Sequence, residues 1–266
     1  MSRDARSLLA LARQAADAAA KVIRAAEPKR AELDWREKGP VDFVTDVDVA
    51  AEARALEVIR AAEPGAAFLA EESAGSHVSS PASGLRFVID PLDGTTNFLH
   101  ALPEYAVSIG VQVDGVLTAG VVLHVPRNEC FTAVLGGGAW FGETRLRVST
   151  IITPQRALIG TGFPFKTPND IPNYLGQLSR VMALTSGVRR AGSASIDLAS
   201  VASGRLDGFW ENFLSPWDVA AGILLIREAG GICTDANGGD SQVTFGSVVA
   251  GNPTIHEWLL EQVRSR

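Results

Sequence analysis

The chain has 266 residues, of which 46% are hydrophobic, and 24 Lys and Arg stand against 30 Asp and Glu for a formal net charge of −6. This length and composition predict a globular protein with a sizeable core, built as one large domain or as two closely packed halves. The negative charge argues against nucleic acid as the main ligand, because binding a phosphate backbone requires a basic surface.

The sequence also lacks membrane and export signals. No apolar run approaches the roughly 20 residues needed to span a bilayer. Charged residues interrupt the amino-terminal segment, so that segment has no unbroken apolar core of the kind found in a signal peptide. We therefore expect a cytoplasmic protein with no membrane role.

The first part of the chain predicts two amphipathic helices. Apolar residues at helical spacing predict one helix over residues 4–27, ended by Pro28. After a turn at Gly39-Pro40, a second helical pattern runs from Asp46 to Ala62 and stops before Pro64-Gly65.

Strand signals dominate the next part. The predicted strands cover residues 67–70, 85–89, 105–113, 116–125 and 130–135. Asp114-Gly115 joins the third and fourth of them and predicts a hairpin. No helix follows the glycines of "GGGAWFGETRL" (136–146), which predicts a turn and no cofactor-binding loop. Cys130 and Cys233 are the only cysteines, and their apolar surroundings favour buried thiols over a metal site or a disulfide.

From about residue 157 strands and helices alternate, which is typical of an α/β fold. We expect an α+β half over residues 1–150, an α/β half over residues 151–266, and a binding cleft between them. The predicted strands cover residues 157–160, 187–190 and 208–210, and the predicted helices cover residues 174–185 and 195–203.

Three acids each follow a predicted strand. Glu71 comes after the strand at 67–70, and Asp90 and Asp93 come after the strand at 85–89. If these strands are neighbours, their acids gather at one edge of a sheet. A single acid in such a place often only starts a turn, and Asp90-Pro91 is a good turn starter. The Asp93-Gly94-Thr95 turn adds free backbone N–H groups that could bind an anion.

A fourth acid, Asp218, lies in the first turn of a further predicted helix. Ser215, Pro216 and Asp218 stand at its N-cap, N1 and N3 positions, and Gly230 lies beyond its last turn. Ser-x-x-Asp is a capping pattern, so the spacing is compatible with either a cap or a metal ligand. Carboxylates beside a phosphate-binding turn are the ligands that Mg²⁺ prefers. Two such ions can activate water and stabilise a leaving oxygen.

Three motifs taken together resemble the inositol monophosphatase family of metal-dependent, lithium-sensitive phosphatases. They are "LAEES" (69–73), "DPLDGTTNF" (90–98) and "PWDVAAGILLIREAGG" (216–231), and the similarity runs from Asp42 to Gly231. "TGFPF" (161–165) and "LPEYAVSIGV" (102–111) are most similar to the bacterial inositol-1-monophosphatase branch. The resemblance implies an α/β (α+β) fold, a layered αβαβα sandwich. It also implies a homodimer that hydrolyses inositol monophosphate to inositol and phosphate.

The resemblance further implies a binding site for two or three Mg²⁺ ions. The first ion would be held by Glu71, Asp90 and the carbonyl of Leu92, and the second by Asp90, Asp93 and Asp218. Asp90 would bridge the two ions, which accounts for carboxylates at the end of a buried strand.

The resemblance assigns catalytic and substrate-binding roles as well. Glu71 and Thr95 would orient the attacking water, with Asp48 supporting the Thr95 hydroxyl. Asp48 also lies beside Thr45 at a predicted helix start, where a capping role is the alternative. The substrate contacts would come from Asp93, Gly94, Thr95, Gly192, Ser193, Ala194 and Glu211.

Three positions leave alternatives open. Glu211 matches the acid that binds the inositol hydroxyls, and an exposed loop glutamate is the alternative. Lys38 matches a lysine on a mobile loop near the metals, and a solvated surface lysine is the alternative. Ser215 departs from the histidine of the animal enzymes, which affects the leaving-group preference and leaves the metal chemistry intact.

The family resemblance also leaves the function partly open. Relatives with the same metal motifs act on histidinol phosphate, fructose 1,6-bisphosphate or 3′-phosphoadenosine phosphates. A binding or regulatory protein could keep the fold without catalysis, because fold does not imply function. Such a protein would be expected to have lost a metal acid, and the sequence retains all four.

Overall fold

The structure is a computed structural model that describes residues 4–39, 42–73, 84–240 and 243–264. Five layers follow one another: a helix pair, a large sheet, a second helix pair, a smaller sheet and a third helix pair. The molecule is therefore the layered αβαβα sandwich that the family resemblance implied.

The outer helical layer consists of α1 (Ala5–Ala26) and α2 (Asp46–Ala62), which pack against each other and the large sheet. The carboxylate of Asp4 caps α1 by accepting hydrogen bonds from the backbone N–H groups of Arg6 and Ser7. An antiparallel ribbon of β1 (Arg36–Gly39) and β2 (Asp42–Val44) precedes α2. Both helices lie where the sequence predicted them.

The large sheet has seven strands in chain order. The first two are parallel and the remaining neighbours are antiparallel. The short helix α3 (Thr95–Leu99) follows the second strand. The strands are β3 (Ala67–Ala70), β4 (Leu85–Asp93), β5 (Ala106–Val113), β6 (Val116–His124), β7 (Glu129–Val134), β8 (Gly138–Phe141) and β9 (Thr144–Arg145).

The segment 136–146, predicted as a turn, does contain turns, at residues 135–137 and 142–143. The short strands β8 and β9, which pair as a hairpin in this segment, were not predicted. Gly138 and Gly142 both have positive φ and lie at the two ends of β8, so the glycines turn the chain into and out of a strand. The predicted hairpin at Asp114-Gly115 is present, and both residues have positive φ.

In the described residues after β9, the chain forms the smaller sheet and four α-helices. This sheet has five strands in the order β11-β10-β12-β14-β13. The elements are β10 (Leu158–Thr161), α4 (Ile171–Met182), β11 (Gly187–Arg189), α5 (Ala194–Ala202), β12 (Gly208–Leu214), α6 (Pro216–Glu228), β13 (Ile232–Thr234), β14 (Gly246–Gly251) and α7 (Pro253–Val263).

Helices α5 and α6 form the middle layer, between the two sheets, and α4 and α7 cover the outer face of the smaller sheet. Because α6 is covered on both sides, every residue from Val219 to Ile226 is buried. Cys233 is buried and Cys130 is half-buried, and burial raises the pKa of the Cys130 thiol to about 11. Over the described residues, no helix is both long and apolar enough to cross a bilayer.

Candidate active site

A cavity of about 710 Å³ opens where the two sheets and the middle helices meet. Its lining includes Glu71 after β3, Asp90 and Asp93 on β4, and Asp218 on α6. The volume lies in the range of small-molecule sites. The structure therefore brings together the four acids that the sequence singled out.

Strand pairing explains how the first three acids meet. β3 and β4 are parallel, and Ala70 is paired with Ile89. The next residue on each chain segment, Glu71 after β3 and Asp90 within β4, therefore lies beside the other. Residues three apart on a regular strand point to opposite faces. The register of β4 against β5 shifts between Asp90 and Asp93, and this bulge brings both acids into the cavity lining.

The Asp93 carboxylate is held by two serines at the start of α5. Its Oδ2 accepts hydrogen bonds from the hydroxyls of Ser193 (2.6 Å) and Ser195 (2.5 Å) and from the Ser195 backbone N–H (2.8 Å). Ser193 is 2% exposed and its hydroxyl is used by Asp93, so the predicted substrate contact at this position would come from the backbone of the turn. Ser195 was missed as a site residue, although small polar residues at the start of a predicted helix were a visible signal.

Asp48 has a cap role and a site contact at once. Its Oδ2 accepts from the Thr45 backbone N–H at 2.8 Å, which completes a capping box on α2. Its Oδ1 accepts from the Thr95 hydroxyl at 2.9 Å, and that hydroxyl also lies 3.2 Å from the Leu92 carbonyl oxygen. Asp48 is buried, so it acts on the cavity through Thr95.

Asp218 likewise caps its own helix while it faces the cavity. The Ser215 backbone N–H donates to Asp218 Oδ2 at 2.7 Å, within a capping box on α6. Ser215 and Asp218 both line the cavity. The two alternatives left open by the spacing are therefore compatible, because the cap hydrogen bond uses only one carboxylate oxygen.

Glu211 lies on β12 and is not exposed, so the alternative of an exposed loop glutamate is wrong. A side chain at Gly162 would place its Cβ only 1.9 Å from the Glu211 carboxyl group, so this glycine leaves the space that the glutamate occupies. Burial, followed by repulsion from Asp218 and Asp93, raises the pKa of Glu211 to about 8.

Two glycine turns complete the lining. Gly94 (φ 95°) leads into α3 and Gly192 (φ 90°) precedes α5, both in the left-handed region that favours glycine. Asn97 joins the turns by donating to the backbone oxygens of Glu104 (2.6 Å) and Ala191 (2.9 Å). Ala194 also lines the cavity. The side chain of Lys38 lies outside the described part of the chain.

The acids of the cavity lie close enough to oppose one another's ionisation. Burial and then repulsion from Glu71, Asp93 and Asp218 raise the pKa of Asp90 well above its usual range. Burial and then repulsion from Asp93 raise the pKa of Asp218 to about 8. Lys166 and Arg190 are cations in the lining that the sequence reasoning missed. The available signals were that Lys166 directly follows "TGFPF" and that Arg190 belongs to an Arg-Arg pair.

The donor chemistry fits a hard divalent cation. Carboxylate oxygens from three segments and the nearby Leu92 carbonyl are ligands of the type that Mg²⁺ takes, and a cation would offset the repulsion among the acids. Within the described ranges, no group of three or more His, Cys, Asp or Glu side chains is already arranged to hold a metal ion.

Comparison with known proteins adds independent evidence. The model of the inositol monophosphatase family matches residues 4–266. Inositol-1-monophosphatase of Mesorhizobium japonicum is 48% identical over 227 residues, which cover 85% of each chain. Nus factor SuhB of Salmonella typhimurium is 44% identical over 257 residues, which cover 97% of this chain and 96% of that protein.

A solved structure agrees with these sequence relatives. The extragenic suppressor protein suhB from Bartonella henselae superposes with a TM-score of 0.91 at 40% identity, covering 97% of this chain and 99% of that one. Family model, relatives and fold agree along nearly the whole chain. The protein therefore belongs to the inositol monophosphatase family and is a phosphatase.

Proposed function

We propose that this phosphatase is a Mg²⁺-dependent phosphomonoesterase that hydrolyses inositol monophosphate to inositol and phosphate, as a lithium-sensitive homodimer. The observation that carries the proposal is the convergence of Glu71, Asp90, Asp93 and Asp218 in one cavity beside the Gly94-Thr95 turn. The matching relative from Mesorhizobium japonicum, which is named inositol-1-monophosphatase, supports the substrate.

The ligand groups divide between two Mg²⁺ positions in this proposal. Glu71, Asp90 and the Leu92 carbonyl would hold the first, and Asp90, Asp93 and Asp218 would hold the second. When bound, the ions lower the pKa of a water molecule and stabilise negative charge on phosphate and leaving oxygens. Ser193 and Ser195 hold Asp93 in place through three hydrogen bonds to one carboxylate oxygen, Oδ2.

The remaining residues position the reactants. Glu71 and the Thr95 hydroxyl orient the attacking water, and Asp48 fixes that hydroxyl from behind. Backbone N–H groups of the turn at Gly94 and Thr95 bind the phosphate oxygens. Glu211 and the Gly192–Ala194 turn contact the hydroxyl-bearing ring of the substrate. Lys38 would approach the phosphate from the ribbon that precedes α2.

Other functions remain as alternatives. The same machinery would serve histidinol phosphate, fructose 1,6-bisphosphate or a 3′-phosphoadenosine phosphate. The relatives named Nus factor SuhB favour a regulatory role as a second candidate. Retention of all four acids in the cavity favours catalysis over a purely regulatory protein.

The test is phosphate release from inositol, histidinol, fructose and nucleotide esters, with Mg²⁺ raised from zero and Li⁺ added to the best substrate. We expect the highest kcat/KM on inositol monophosphate, no activity without Mg²⁺, and inhibition by Li⁺. Asp93→Asn should abolish turnover, whereas Glu143→Gln, an exposed acid on the β8–β9 turn, should not change it. Full activity of Asp93→Asn would refute the mechanism. A higher kcat/KM on another ester would refute the substrate alone.

A further inference from the structure

Two phenylalanines form an exposed aromatic pair at the mouth of the candidate active site. Phe213 and Phe245 both line the cavity, and their ring centroids lie 6.3 Å apart with the planes tilted by 37°. Phe213 is 38% exposed and Phe245 is 65% exposed. Exposing two aromatic rings to water is unfavourable, so their place at the cavity invites a functional explanation.

The backbone at Phe213 strengthens that argument. Phe213 has φ 62°, in the left-handed region where bulky side chains are rare, and it lies in the bulge of β12 between Glu211 and Leu214. Strained residues of this kind cluster at ligand sites. A glycine would adopt the same conformation without strain, so the phenyl ring is present at an energetic cost.

A second aromatic pair in the lining provides a contrast. Phe163 and Phe165 have the guanidinium group of Arg190 at 5.4 Å from each ring centroid. Within the described parts of the chain, no Arg or Lys side chain lies over Phe213 or Phe245 in this way. The Phe213–Phe245 pair therefore offers ring surface to a ligand, whereas the other pair is already engaged by a cation.

We propose that Phe213 and Phe245 form a stacking subsite for a planar ring carried by the alcohol part of the substrate. This inference rests on the proposed phosphomonoesterase function and assigns Phe213 and Phe245 as the residues that favour ring-bearing esters among its alternative substrates. Phe213 lies two residues after Glu211 and two before Ser215, and both of these line the cavity. A cavity of about 710 Å³ has room for an alcohol of that size beyond the phosphate.

The decisive experiment compares kcat/KM on three esters. Adenosine 3′-monophosphate carries a nucleobase, 2-phenylethyl phosphate carries a simple aryl ring, and glycerol 2-phosphate has no ring. The variants are Phe245→Ala, Phe245→Tyr and Phe213→Gly. Ile152→Ala is the matched control, because Ile152 is 66% exposed and lies away from the cavity lining.

Phe245→Ala and Phe213→Gly should lower kcat/KM about fivefold to fiftyfold on the ring-bearing esters, as expected for the loss of one stacking contact. They should leave glycerol 2-phosphate unchanged, and Phe245→Tyr should retain activity on all three. Phe213→Gly should also keep or raise the Tm, which shows that it folds. If kcat/KM falls on the adenosine ester alone, the occupant of the subsite is a nucleobase. If it falls on both ring-bearing esters, the subsite accepts any aromatic ring.

An equal loss on all three esters, or no loss on any, overturns the subsite. If an equal loss accompanies dissociation of an oligomer in analytical ultracentrifugation, the pair is a subunit contact. If the wild type hydrolyses no ester, the proposed function fails separately. Calorimetric titration with adenosine 3′-monophosphate then decides: weaker binding by Phe245→Ala and Phe213→Gly, but not by Ile152→Ala, upholds the subsite, and equal or absent binding overturns it.

Discussion

Each oxygen of the Asp48 carboxylate has a different partner. Oδ2 accepts from the backbone N–H of Thr45 and stabilises the start of α2, and Oδ1 accepts from the hydroxyl of Thr95 at the cavity. Asp218 similarly combines a capping hydrogen bond with a place in the cavity lining. At the scale of single residues, the same carboxylates that stabilise helix ends are thus placed to serve the proposed chemistry.

This division predicts different effects for two substitutions. Thr95→Val removes only the hydroxyl, so kcat should fall about 100-fold, as is typical when one proton-handling group is lost, with little change in stability. Asp48→Ala should lower kcat similarly and also cost about 1 kcal/mol of unfolding free energy, because the hydrogen bond that Asp48 contributes to the capping box is lost. Steady-state kinetics and urea unfolding measure both effects. Thr144→Val, at an exposed strand position, is the control. A Thr95→Val variant with wild-type kcat would contradict the role of Thr95.

At the scale of elements, close packing of α6 on the large sheet places Asp218 near the acids of β4. Gly110 on β5 and Gly120 on β6 face this helix. A Cβ at Gly110 would lie 2.6 Å from the Cβ of Ala220, and one at Gly120 would lie 3.1 Å from the Cα of Ala221. Because Gly110 and Gly120 have no side chains, α6 can lie closer to the large sheet than it could over larger residues.

We expect Gly110→Ala to push α6 away from the sheet. Overpacking of this kind costs about 1 to 3 kcal/mol, and movement of Asp218 should lower kcat at saturating substrate as well. Gly176→Ala is the matched control, because its new Cβ would meet only the flexible end of Arg180, at 3.4 Å. Differential scanning calorimetry and kinetics test this together. Equal Tm and kcat for the two variants would show that the sheet tolerates the methyl group.

At the scale of the whole molecule, buried acids make folding dependent on pH. Asp197 on α5 lies in the middle layer and is 3% exposed. Burial, followed by repulsion from Glu211, Asp93 and Glu104 and opposed by Arg190, raises the pKa of Asp197 well above 3.8. Below pH 3.8 the group is protonated in both the folded and the unfolded chain. As pH rises, the unfolded chain releases the proton first, so the folded state loses stability until its own pKa is passed.

Asp197→Asn should therefore stabilise the metal-free protein at pH 8, and the gain should shrink towards zero near pH 4. Each unit of pKa difference between folded and unfolded chains corresponds to about 1.4 kcal/mol. Urea unfolding from pH 4 to pH 8 in buffer with chelator measures the effect, with Glu143→Gln as an exposed control. A gain that is independent of pH would show that packing, and not charge, distinguishes the variant.

Local signals explain which elements were predictable. Helix α2 begins and ends at the predicted residues because its cap, Thr45, and its stop, Pro64-Gly65, lie next to it in sequence. The prediction for residues 174–185 was displaced, since α4 covers Ile171–Met182 and includes a proline near its start. Strands β13 and β14 were not predicted, because they are short and depend on pairing with β12 and with each other. Helix α7 was not predicted either.

The sequence by itself determined the family and the set of acids through its motifs, and the resemblance to the family implied the layered fold; apolar periodicity and capping residues located several of the helices. Only the tertiary structure showed that a bulge turns Asp90 and Asp93 to one side, that Ser195 holds Asp93, that Glu211 occupies the space left by Gly162, and that Phe213 meets Phe245. The reason is that these contacts join residues far apart in the chain or depend on strand register, and no local pattern encodes the distance between them.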